Sequence, residues 1–422
     1  IIPESKVVIL GKSPYLDREK SPISFKYPAL GELTSRIDAA GKSRLFNTIT
    51  QSSLTLENVV LENGYSSDEG GALLIGGALT LNNSQILNSK SAKKGGALYL
   101  VGLGEHQLSV NNSVLQGNQA NVGSILAMQC NAGLLDVKAN LEFRASSFIA
   151  NGLTSSLSAF DFCGNPKVAM SNNTVAKNIA SPTNGSIIYA INTREHNLSL
   201  ESSFILSNNT IVENSAAGVL DYDDSGDKSL YYNVLAYNQY KSCRYLGSQT
   251  LSDKYDAGVT VAYNAFDTST SQCEFAEGAR VVSNSVDTNI DVKNVAMSSL
   301  LSSLTEPSKY NLFRQMYFPK VNGGGIDLLD TNSKLDCNSS DQRGLDRIVD
   351  GTLMLAPEDA NSCDIGSVEL RRLAAADITD LKNTSHVERL QAYEDNIKEL
   401  EDLIANKNTN PDFLVEFNEE LQ

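Results

Sequence analysis

The chain has 422 residues, more than the roughly 250–300 that one globular core accommodates, so it either divides into domains or extends. Aromatic residues are only 7% with no Trp, which leaves small and β-branched side chains suited to stacked strands. A formal net charge of −16 excludes nucleic acid and anionic membrane surfaces as attractive partners, and no run of roughly 18 apolar residues offers a transmembrane span. An acidic polysaccharide is equally disfavoured unless bound calcium reverses the local sign. The first residue is Ile1 rather than Met, as expected of a processed or trimmed product.

Residues 1–50 read as an N-terminal cap, with VVIL at Val7 to Leu10 and RLFNTI at Arg44 to Ile49 as its apolar pieces. From Leu54 to Leu100 one unit is written twice. LTLENVVLEN is followed by GGALLIGG, then LTLNNSQILN by GGALYL, with Leu79 25 residues after Leu54 and Gly96 25 after Gly71. Degenerate copies carry the unit to about residue 300, closing on Asn63, Asn88, Asn118, Asn151, Asn178, Asn214 and Asn238. The Gly-Gly strand returns as GSILAM at Gly123, GSIIYA at Gly185 and GVLDY at Gly218, and fainter copies follow as VTVAYN and RVVSN. Apolar residues alternate with period two over four to six positions, which is a strand pattern, and the length variation belongs to one loop per coil. These features predict an all-β, right-handed parallel β-helix over residues 51–300, with on the order of nine coils at about 4.8 Å spacing. Asn at a bend can stack as an amide ladder and tolerates left-handed backbone, so the series is read as structural.

Residues 301–372, with Gly323, Gly324 and Gly325 marking a loop, lose the repeat and form a closing segment. Residues 373–422 turn charged and helix-forming. Leu390, Tyr393, Ile397, Leu400 and Ile404 give one amphipathic helix that could fold back as a cap, pair with another chain or serve as a stalk. The last residues, NPDFLVEFNEELQ, suggest a second short helix. Six cysteines, Cys130, Cys163, Cys243, Cys273, Cys337 and Cys363, fall into sequential pairs separated by 33, 30 and 26 residues, close to the coil length. They read as disulfides of an oxidising compartment, with connectivity left open.

RLFNTI, LTLENVVLENG with GGAL, the NNS and NNT bends and the ending Asp341-Gln342-Arg343-Gly344 with Cys363-Asp364-Ile365-Gly366 resemble bacterial secreted β-helix proteins of the CSLREA-domain and choice-of-anchor type. The paired GGAL and Phe148-x-x-Asn151 are also similar to repeats of polymorphic outer-membrane proteins. The likeness covers roughly residues 40–370, without the CSLREA signature or an anchoring tail. It implies a secreted or cell-surface β-helix and supplies no catalytic residues.

For chemistry, Asp161, Asp221, Asp223 and Asp224 are the carboxylates from which a glycosidase pair could come, about 5–9.5 Å apart on neighbouring coils. Asp221, Asp223, Ser225 and Asp227 with Gly226 match the start of a calcium loop but lack its closing Glu, Tyr232 standing there. The three histidines, His106, His196 and His386, are lone and expected in exposed loops or a helix. Asp341, Arg343, Arg347 and Asp364 are expected to form a structural ion-pair cluster locking the terminal cap. Tyr231, Tyr232, Tyr237, Tyr240 and Tyr245 could stack on sugars or fill core and edge. The expected role is a structural or adhesive surface protein that binds protein or glycan. A polysaccharide lyase or hydrolase is the first alternative, and a self-associating subunit of a filament or surface assembly the second.

Overall fold

The computed structural model describes residues 6–13, 33–102, 105–129, 139–162, 166–190, 203–222, 227–246, 259–267, 269, 288–305, 313–320, 327–331, 337–345, 347 and 363–370. The expected helix carrying Leu390 to Ile404, Cys130, Cys163, Cys273, His196 and His386 lie outside them.

The chain is a right-handed parallel β-helix. Among the described residues every strand belongs to one of three long parallel sheets or to a small parallel pair, Tyr65–Ser66 with Lys90–Ser91. Sheet one has nine strands, sheet two ten and sheet three eight, and each coil visits them in that order. The first coil already obeys the rule. Lys6–Leu10 pairs with Ser53–Glu57 in sheet one, Arg36–Asp38 with Val60–Glu62 in sheet two, and Phe46–Asn47 with Leu73–Ile75 in sheet three.

The period-two pattern sets the register. Leu56, Leu81, Val110, Phe143, Met170, Leu206, Leu230 and Val261 occupy one column of sheet one, each paired with the next, and all are buried. A one-residue slip would turn that column to solvent, so the stack admits one register. Phe143, Phe148, Phe160, Phe162 and Phe204 fill the mid-helix interior, edge to face or tilted except for the stacked Phe160–Phe162 pair, with centroids 5.0–6.2 Å apart.

Two bends fix each coil. From Ser53–Glu57 onward the bend between sheets one and two is two residues long. Its first residue is left-handed: Asn58, Asn83, Asn112, Ala145, Asn172, Asn208, Tyr232 and Tyr263 have φ between 45° and 56°. The second residue turns inward and carries a ladder. Ser84, Ser113 and Ser146 continue into Asn173, Asn209, Asn233, Asn264 and Asn289, each receiving the backbone N–H of the coil before. A second ladder closes sheet two. Asn118, Asn151, Asn178 and Asn214 each donate both backbone N–H and Nδ2 to the next Oδ1, through to Asn238, at 2.9–3.0 Å. Asn63 and Asn88 are not part of it. They stand one residue earlier, left-handed at φ 55° and 53°, and Gly64 and Ser89 occupy the ladder position in their coils. Insertions concentrate elsewhere, in the sheet-three-to-sheet-one connections 129–138, 191–202 and 246–258.

The 301–372 segment does not simply close the stack beyond its last coil. Its described parts lie alongside, against the outward face of sheet two. Ile149, Ala176, Val212, Val234 and Ala265 face outward there, yet they are buried under Leu301, Tyr317, Leu329, Cys363 and Ile365. Polar anchors run the length of this strap. Arg314 Nη1 donates to Asn112 Oδ1 and Ala145 O, Gln342 Nε2 to Ser146 O and Ser147 Oγ, and Gly366 N to Tyr232 O. Cys337 and Cys363 form a disulfide with Cα atoms 6.5 Å apart, and Cys243 is disulfide-bonded as well.

Removing one amide from the second ladder should cost more than an exposed bond. Asn178→Ala strands the N–H and Nδ2 of Asn151 and should lower unfolding free energy by about 3 kcal/mol. Asn63→Ala, which loses an exposed bond to Asp38, should cost under about 1 kcal/mol. Urea unfolding of both checks the ranking; equal losses would refute the ladder's role.

Candidate functional site

Each sheet of a β-helix has one outward face, and the three faces differ here. That of sheet two is covered by the strap. In sheet three one outward column runs Tyr99, Ala127, Asp161, Tyr189, Asp221 and Arg244, each paired with the next. The winding thus brings Asp161 and Asp221 to one sheet position, two coils apart, a distance of about 9.6 Å from strand spacing alone.

They do not make a working acid pair. Asp221 is 1% exposed, and its carboxylate accepts Arg244 Nε at 2.7 Å, Arg244 Nη2, and the Ser186 hydroxyl. Three of its roughly four acceptor sites are taken and the guanidinium neutralises it, which leaves a poor base for water. The same bonds answer the calcium reading, because a cation would have to displace the guanidinium from the first ligand of the loop. Asp223, Asp224 and Ser225 lie outside the described residues, and so does the side chain of Asp227. Among the described residues no group of three or more His, Cys, Asp or Glu side chains is arranged for a metal. Asp161 differs from Asp221. It is partly exposed, burial pushes its carboxyl above the ordinary value, and the Ser158 hydroxyl, donating at 2.9 Å, and Lys94 pull the other way.

Position 218 shows how tightly the Asp221 pair is built. A Cβ on Gly218 would lie 2.0 Å from Asp221 Oδ1 and 2.3 Å from Arg244 Nε, so only glycine leaves room for the ion pair above it. The pair leaves one trace in the sequence. VLDY and SCRY align as successive strands, with Asp221 opposite Arg244.

His106 is fully buried at the start of a sheet-one strand, not exposed in a loop. Its Nε2 is 3.3 Å from Gly102 O, and its Nδ1 has no partner among the described residues. The tyrosines spread over different tasks. Tyr232 is buried and stacks on Tyr263 at 4.9 Å, Tyr237 donates its hydroxyl to Val295 O, Tyr231 is partly buried against the strap core, and Tyr240 is 48% exposed. The side chain of Tyr245 is outside the described set.

The Asp341, Arg343, Arg347 and Asp364 cluster belongs to the strap rather than to an end cap, and Glu369 joins it. Arg343 Nε donates to Asp341 Oδ2 at 2.8 Å, and Arg347 Nη1 lies 3.2 Å from Glu369 Oε2. Arg347 also donates to Asn172 Oδ1 and Gly366 O, tying strap to helix. Burial opposes the charge of Asp341, but Arg343 and Arg347 overcome it and hold the carboxyl below its usual range. Asp364 is driven well above the carboxylate range by burial first and then by the charges of Glu369 and Asp327.

The outward face of sheet one holds a shallow concavity of about 310 Å³. Its strands come from five successive coils, and its lining includes Gln107, Asn140, Glu142, Lys167, Ala169 and Ile205. No spacing rule marked these residues, because they are the variable polar positions between the apolar ones. Comparison with protein-family models, curated proteins and solved structures gives no match.

Two substitutions test these assignments. Gly218→Ala should expel Arg244 from Asp221 and cost about 3 kcal/mol or more, since breaking a buried pair strands its partner; an unchanged thermal midpoint would refute the fit. Asp364 has a raised folded value, so its protonation stabilises the fold fully below the unfolded value, near 3.8, and that contribution fades as pH rises towards the folded value. Asp364→Asn should therefore raise the melting midpoint at pH values above the ordinary carboxylate range and flatten its decline as pH rises beyond about 3.8. A parallel curve for wild type and variant would contradict the assignment.

Proposed function

We propose that this chain is a secreted or cell-surface β-helix whose outward sheet-one face binds an extended partner, protein or glycan, without chemical turnover. The open concavity on that face carries the reading. Among the described residues sheet two is taken by the strap and the Asp221 carboxylate on sheet three is fully engaged. The sheet-one side chains Gln107, Asn140, Glu142 and Lys167 are exposed and make no hydrogen bond or ion pair within the described residues. Unpaired amides and charges on a rigid sheet are contact groups, fixed by the strands beneath rather than by a loop.

Extracellular placement draws on the Cys337–Cys363 disulfide, which favours an oxidising compartment, and on the resemblance to CSLREA-type and polymorphic outer-membrane repeats. No helix among the described residues is long and apolar enough to cross a membrane. Among the described residues lining the concavity Glu142 has no second acid beside it to form a glycosidase pair.

A panel of polysaccharides and extracellular proteins offered to the full chain should include a binder that yields neither new reducing ends nor unsaturated products. Binding should fall at least about tenfold with Ala169→Arg, which blocks the centre of the face. Turnover of any polymer would overturn the non-catalytic reading.

A further inference from the structure

Resting on the sheet-one face as the contact surface, the geometry points to one ligand class: an uncharged, linear polysaccharide lying along the helix axis, across the strands. Three features of the face carry this.

The first is periodicity. The outward column Gln107, Asn140, Lys167 and Ser203 pairs residue to residue, so it presents one polar group per coil in steps of about 4.8 Å. A polymer with a repeated hydroxyl pattern can meet such a row again and again. A globular protein surface has no matching repeat. The two amides at the start of the row both donate and accept, which is what a hydroxyl group requires.

Charge is the second. Glu142 and Lys167 are the ionisable groups lining the concavity, one of each sign, on neighbouring strands and diagonal to one another. The lining is therefore neutral as a whole, while the chain carries −16. A polyuronate would be repelled by the molecule and find no cationic row to hold it. A polycation would be drawn to the molecule at large but would find Lys167 in the row itself.

Shape is the third. The adjacent outward column runs Ser109, Glu142, Ala169 and Ile205. At Ala169 the side chain shrinks to a methyl between two long, exposed neighbours, Glu142 and Ile205. The notch between them spans two strand spacings, about 9.6 Å, which is room for one sugar ring. Its floor is the Ala169 methyl and one wall is Ile205, 42% exposed, so the C–H face of a ring meets apolar atoms while its hydroxyls face Lys167 and Asn140 in the adjacent column, and the next ring along the axis meets Gln107.

The test uses the full chain and three probes: a panel of neutral glucan, mannan and galactan, polygalacturonate, and chitosan, each followed by titration calorimetry. At least one neutral polymer should bind, and the two charged polymers should not. Asn140→Ala and Gln107→Ala should each weaken binding about five- to tenfold, the loss expected for one net hydrogen bond. Ala169→Leu, which fills the notch, should abolish it. Tyr240→Ser, on sheet three, should leave it unchanged, and thermal melts confirm that each variant is folded. Binding of a charged polymer instead, with the same sensitivity to Asn140→Ala, would overturn the neutral class while leaving the face as the contact surface. Neutral binding that ignores Ala169→Leu and Asn140→Ala would overturn the face itself. No binding by any of the three probes would overturn the glycan inference.

Discussion

Coil-to-coil registration of buried side-chain amides is the constraint on which the rest of this molecule depends. A β-helix coil has no closed core of its own, so its apolar side chains are useful only when each lands on its counterpart one coil away. The Asn ladder from Asn118 to Asn238 makes any other landing expensive. The interior rungs Asn151, Asn178 and Asn214 each take two hydrogen bonds from the coil before and pass two on, and the second Nδ2 proton reaches back to a carbonyl such as Leu115 O or Phe148 O. A slipped coil would leave several of these groups buried and unpaired at about 1–3 kcal/mol each. The hydrophobic column gives the stack its stability, and the amide ladders choose among the ways of stacking.

The two-residue bend does double duty. Its first residue is left-handed and points its side chain away from the core, while its second points in and joins a ladder. At three of these bends the first residue is an Asn whose outward side chain is a handle for the strap. Asn112 takes Arg314, Asn172 takes Arg347, and Asn208 accepts from Asn338. One dipeptide thus supplies an internal rung and an external anchor. Such anchors repeat because the bend repeats, so a non-repetitive segment can lie along a repetitive surface in a single register.

The coil repeat, the sheet-forming period and the fold were legible because they rest on local patterns that recur. Leu54 to Leu56 and Leu79 to Leu81 announce an inward column without any knowledge of neighbours. The ladder was legible as a series of bend asparagines, but its phase was not. Asn63 and Asn88 look identical to Asn118 by one-residue pattern, and only the coil pairing reveals that Gly64 and Ser89 stand in the rung position. The first-bend ladder escaped because its early rungs are serines, which carry no distinctive signal until three of them are stacked. The strap was the least legible feature. Ile149, Ala176 and Val212 are outward-facing apolar residues in short strands, and nothing local distinguishes a covered outward face from a sticky one. Asp161 and Asp221 stand out in the sequence as acids within apolar strands, and the winding brings them to one column. That Arg244 would occupy Asp221 depends on a residue 23 positions later landing beside it, which is coil geometry rather than sequence.

The strap also explains why the concavity lies where it does. A three-sided helix with all faces polar and open would need no particular face for contact. Covering sheet two removes one face and buries five outward apolar residues there, and the Asp221–Arg244 pair fills part of a second. On sheet one most of the outward residues lining the concavity are polar, and from Ser53–Glu57 onward the bends on its sheet-two side are two residues long. The length variation of these coils falls on the opposite edge, in the connections 129–138, 191–202 and 246–258. Insertions are tolerated in connections and not in rungs, since a rung must meet its neighbour every coil. The edge free to vary in length thus adjoins the sheet-one face, and a changed insertion there can alter what approaches Asn140 and Lys167 without disturbing the amide stack that positions them.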